Sequence, residues 1–168
     1  MESTFDLNSV QLARLLTIAA RPGRSAADRP AGELLREWLA RPVSLDAAEP
    51  DSLPAVLGRP CDELAGHAGR PVGALLLGPD TGAPARGALK DYAKCLVRRA
   101  WSESERAAAT ALYYGAIAGA LVFDDQKMTQ HSYPKLDEGL AKLIGRHWIP
   151  PDLNDLLQKA RAACHEAG

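Results

Sequence analysis

From Trp101 to Asp125 the chain reads WSESERAAATALYYGAIAGALVFDD. Ser102 and Glu105 stand in the S-x-x-E spacing of a capping box, which satisfies N–H groups left without partners at a helix start. No charged residue interrupts the run from Ala107 to Phe123, and Asp124-Asp125 closes it. A helix apolar on every side cannot face water, so this stretch is expected at the centre of a core. Its Ala and Gly supply little transfer free energy for crossing a membrane, and no basic cluster follows it. A buried core helix, with no membrane association, is therefore the expectation.

The segments on either side carry the stripes needed to cover it. Before it, Leu89, Tyr92, Ala93, Leu96, Val97 and Ala100 share one face of a helix expected over Ala88–Ala100. The short connection between the two predicts an antiparallel hairpin, or one helix with a bend. After it, Ser132 is expected to cap a helix with Pro134 in its first turn and Leu136, Leu140, Leu143 and Ile144 inward. Pro151 then starts a last helix with Leu153, Leu156, Leu157, Ala160 and Cys164 inward. The central helix is expected to lie between its hairpin partner and these two later helices.

Further toward the amino terminus, Val10, Leu12, Leu15, Leu16 and Ala19 predict a helix through about Ala20, ended by Pro22-Gly23. Asp28 and Pro30 open another, with Leu34, Leu35, Trp38 and Leu39 inward and Arg41-Pro42 at its end. Prolines 42, 50, 54 and 60 then exclude long elements, leaving helical turns near Ser52–Leu57 and Cys61–His67 over the surface. The segment VGALLLGPDTGAPARGALK has the outline of a phosphate cradle, but lacks G-x-x-x-x-G-K-[ST] and G-x-G-x-x-G. A buried helical turn and an ordinary loop are expected there.

Composition agrees with a helical reading. Of 168 residues, 46% are hydrophobic and only 5% aromatic, whereas strands favour aromatic and β-branched side chains. The expected architecture is thus all-α: a single-domain bundle of about six helices around a central helix at about 102–123. An irregular Pro-rich segment falls at about 42–71, and residues 1–5 and 165–168 are expected to be frayed. The net charge of −1 argues against general nucleic-acid binding, which draws on a basic excess. Cys61, Cys95 and Cys164 form no CxxC pair and no disulfide framework, and the polar amino terminus is not expected to act as a signal peptide. A cytoplasmic protein with reduced thiols, and no metal or cofactor, is expected.

Four groups are candidates for function. Gly115 and Gly119, with Ala111, lie four apart on the central helix, inviting close approach of a neighbour, a homodimer seam or a ligand. Tyr113 and Tyr114 point to different sides and bring hydroxyls that need partners if buried. Asp124, Asp125 and His131 put two carboxylates and an imidazole on one short loop, a candidate polar site. Carboxylates oppose the dipole at a helix C-terminus, so a compensating cation is expected, with Lys127 at hand. Lys90, Lys94 and Arg98 recur at i, i+4 and i+8, with Arg99 beside them, as a solvated face or a docking stripe for an acidic partner.

No G-x-S-x-G or H-E-x-x-H pattern occurs, and no histidine is placed as a nucleophile's base. The function expected is a non-enzymatic helical module that binds another protein or its own copy. A small-molecule binder or enzyme with a pocket beside the central helix, and a self-assembling structural protein, are the alternatives.

Overall fold

The computed structural model describes residues 30–167. The helix expected through about Ala20, and Asp28 as a cap, lie outside them. Among the described residues there are no strands, and the architecture is an all-α bundle of seven α-helices and one 3-10 helix. In order they are α1 (Ala31–Ala40), α2 (Leu53–Leu57), the 3-10 helix (Asp62–His67), α3 (Val72–Leu77), α4 (Ala83–Arg98), α5 (Glu103–Phe123), α6 (Ser132–Leu143) and α7 (Pro151–Ala167).

Helix α5 is the axis. Ser104 and every residue from Ala107 to Gly119 are buried. Six of these are alanines, so neighbouring helices approach its backbone closely. Its start is capped with a shift from the expected box. Ser102 Oγ accepts from the Glu105 N–H at 3.1 Å, but Glu105 Oε1 accepts from the Trp101 N–H at 2.9 Å, one residue earlier than the motif prescribes. By length and composition α5 could cross a membrane, yet 72% of its most apolar window is buried inside the protein.

Helix α4 forms the antiparallel hairpin partner and packs along much of α5. It begins at Ala83, five residues before the expected start, because Gly82 takes the N-cap at φ +91° and Pro84 sits in the first turn. That earlier start brings Arg86 into the helix.

On the other side the neighbours differ from expectation. Helix α7 packs on α5 as anticipated, and Leu153, Leu156, Leu157, Ala160 and Cys164 are all buried. Helix α6 packs mainly on α7 and only brushes α5, where Gly139 leaves room for the Tyr114 ring 2.8 Å from its would-be Cβ. Helix α1 takes the place expected for α6, burying Leu34, Leu35 and Trp38. Gly32 at its start lies against the Trp148 backbone, with Trp148 Cβ 2.8 Å from where a Cβ would stand.

The Pro-rich segment is more than a surface covering. Ser52 Oγ caps α2 by accepting from the Ala55 N–H at 3.2 Å, and Leu53, Cys61 and Leu64 are buried. Its chain is stitched to the start of α3: the Val43 N–H donates to Arg70 O and Gly69 N–H to Val43 O, both at 2.8 Å, and Val72 N–H to Arg41 O at 2.9 Å. Prolines 42 and 71 face one another across this short antiparallel bridge, where neither has an N–H to lose. Buried side chains from all these elements join in a single hydrophobic core.

Candidate functional site

The acidic end of α5 is compensated, and by a residue the sequence reading did not nominate. Arg86, 1% exposed, donates from Nε to Asp124 Oδ2 at 2.8 Å. Its Nη1 reaches Leu76 O at 2.9 Å and Leu75 O at 3.3 Å, and its Nη2 reaches Gly78 O at 2.8 Å. The guanidinium carbon also lies 5.2 Å from the Phe123 ring centroid. Thr81 Oγ1 adds a bond of 2.6 Å to Leu75 O. One planar cation therefore closes two helix C-termini: the last carbonyls of α3, and the carboxylate at the end of α5. The buried helical turn expected over this segment is α3, with Val72, Leu75 and Leu76 inward, and its carbonyls converge on a cation, the reverse of a phosphate cradle. Two features of the sequence point to Arg86: it extends the Leu89–Ala93–Leu96 stripe by one turn, and a carboxylate waits at an unfavourable helix end.

Asp125 and His131 do not share this arrangement. Asp125 is exposed at φ +50°, a left-handed conformation that Asp tolerates, and Gln126 N–H then returns to Ala120 O at 3.0 Å. His131 is exposed and precedes α6 without a side-chain cap bond. Among the described residues no three His, Cys, Asp or Glu side chains gather as a metal group.

The glycine face of α5 is filled by side chains. At Gly115 a Cβ would meet Leu76 Cδ2 and Leu153 Cδ1, both at 3.0 Å. At Gly119 it would meet Arg86 Nη1 at 2.6 Å. Tyr113 and Tyr114 are both buried and meet edge to face, with ring centroids 5.6 Å apart and planes at 83°. Burial, and then the negative charge of Glu138, push the Tyr114 phenol up to about 12.

The four basic residues of α4 do not form one solvated face. Lys94 is buried and Lys90 half-buried, whereas Arg98 and Arg99 are exposed. Lys90 lines a recess about 230 Å³ in volume, between α4, the last turns of α5 and the loop leading to α6. Ile117, Ala120, Leu121 and Met128 supply its apolar surface; Gln126, Lys127, Thr129 and Ser132 complete the lining.

At the opposite end of the hairpin, the corner between α4 and α5 carries Trp101. It is 94% exposed and is the one large hydrophobic residue in that state among the described residues.

No protein-family model, curated protein or solved structure matches this chain.

Proposed function

We propose that the protein is a non-enzymatic helical interaction module of the cytosol, and that it holds an acidic protein partner through the α4–α5 corner. The observation that carries this reading is Trp101. Single exposed hydrophobic side chains are common, but this one stands at a fixed corner next to two exposed cations. The Trp101 N–H is anchored to Glu105 and the turn is closed by Ser102, so the indole is presented from a defined backbone. Arg99 is 52% exposed at its side chain, and its 3.7 Å contact with Asp51 is a surface pair of small net value. It can be exchanged for a partner carboxylate at little cost. Trp and Arg are the side chains most often found to dominate interfaces, the first by desolvated area and the second by bidentate bonding.

The test is affinity capture from the native cell with the wild-type chain, Trp101→Ala, and an Arg98→Glu/Arg99→Glu double variant. All three positions are at the surface, so the thermal melts should coincide. A partner retained by the wild type and lost by both variants is the expected result. Equal recovery by Trp101→Ala would exclude the corner as the anchor. Loss of a wild-type dimer in light scattering, without loss of any other protein, would assign the corner to self-association instead.

A further inference from the structure

The recess beside the last turns of α5 has a chemistry that the corner does not share. Its floor is aliphatic and thioether surface from Ile117, Leu121 and Met128. Its polar lining includes two cations from different elements, Lys90 of α4 and Lys127 of the following loop. Neither lysine has a salt-bridge partner among the described residues. The nearest carboxylate in sequence to be partly enclosed, Asp124, is already taken by Arg86 at 2.8 Å, so it does not neutralise them. Asp125 is exposed at the turn. Thr129 supplies a hydroxyl, held 2.7 Å from that of Ser132.

We infer that this recess is a binding site for a small amphipathic carboxylate: one carboxylate group joined to a short apolar body. The reasoning is complementarity. Two lysines in the lining of an apolar recess, Lys90 half-buried and Lys127 exposed, favour one anionic head, because a charge-assisted bond outweighs its neutral counterpart. The apolar floor rewards a hydrocarbon tail and gives nothing to a bare anion. The volume limits the tail. At about 230 Å³ the recess is below the usual range for drug-sized ligands, roughly 300–1,000 Å³. A chain of a few carbons fits within it. The site involves neither Trp101 nor the corner arginines, so it stands or falls apart from the interaction reading.

Methionine makes the test direct. The chain has two methionines, of which Met128 lines the recess, so a methyl-labelled methionine spectrum carries a reporter signal that is readily assigned. Titration of the intact protein with hexanoate should shift the Met128 signal saturably at millimolar concentration or below. Hexanol has the same tail without charge, and inorganic phosphate the charge without the tail; each should be at least about tenfold weaker. Lys90→Gln and Lys127→Gln should each weaken hexanoate by about tenfold and hexanol by much less. No saturable Met128 shift up to about 10 mM hexanoate would overturn the inference. Equal responses to hexanoate and hexanol would do so too, and that comparison needs only the wild-type chain. A phosphate response as strong as that of hexanoate would show an anion site with no role for the apolar floor.

Discussion

Replacing Arg86 with methionine tests the central structural argument, because it keeps the length and apolar stem of the side chain and removes only the cation. In the wild type that cation is 1% exposed and donates to Asp124 and to the carbonyls of Leu75, Leu76 and Gly78. Its loss strands a carboxylate whose side chain is 6% exposed, together with the carbonyls at the end of α3. Breaking one side of a buried ion pair costs about 3–5 kcal/mol, most of it the desolvation of the charge left behind. For a domain of this size that is a fall in Tm of roughly 6–20 °C. Asp124→Asn should cost less, since Arg86 retains three carbonyl acceptors and the amide oxygen still accepts its Nε–H. In the double variant no charge is stranded, so its loss should be smaller than the sum of the single losses, with coupling of about 0.5–3 kcal/mol. Urea denaturation followed by circular dichroism measures all three differences on one scale. An Arg86→Met loss under about 1 kcal/mol, or strict additivity of the pair, would refute the claim that this cation closes both helix ends.

Two further outcomes follow from the same geometry. Gly119→Ala should destabilise by about 1–3 kcal/mol despite the helix propensity of alanine, since the new methyl would meet Arg86 Nη1 at 2.6 Å and that guanidinium is pinned. Gly115→Ala should be near neutral because the side-chain ends of Leu76 and Leu153, at 3.0 Å, can yield; the order reversed in denaturation midpoints would contradict the packing described. Burial raises the Tyr114 phenol from 10 to about 12, so the folded state favours the neutral form. Its stabilising contribution, about 2–3 kcal/mol, is therefore fully present below about pH 10 and is lost as pH rises through about 12. Denaturation midpoints across that window should fall more for the wild type than for Tyr114→Phe, and parallel curves would show that Tyr114 is not the group responsible.

Periodicity carried most of the fold, and its failures are instructive. The stripes of α1, α4, α6 and α7 are visible because alternate faces of a helix meet water and core. The short turns Leu53–Leu57 and Asp62–His67 are legible from Ser52 as a cap and from proline spacing. What escaped was the residue that breaks its own pattern. Arg86 looks like a loop cation if the helix is begun at Ala88, and only the Gly82 turn, six residues earlier, places it on the buried face. Lys94, similarly, sits in a charged i, i+4 series that reads as solvated, yet it is buried. Long side chains carry their charge several bonds from the backbone, so helical phase alone does not say where the charged end lies.

The sequence by itself determined that Ala107–Phe123 must be enclosed, because seventeen consecutive uncharged residues leave no face for water. It also determined that the segments around it are helices with apolar stripes to do the enclosing. Which of them enclose it was decided by the tertiary structure. Helix α1 occupies the side expected for α6, and Arg86 occupies the space at Gly119 and neutralises Asp124 across 38 residues of chain. The reason is that local patterns specify which face of an element is apolar, whereas partner choice depends on shape and charge at contacts distant in sequence. The two glycines, the acidic helix end and the phosphate-like loop looked like separate puzzles along the chain. In three dimensions one buried guanidinium links Gly119, the helix end and the loop, while Gly115 is filled by Leu76 and Leu153.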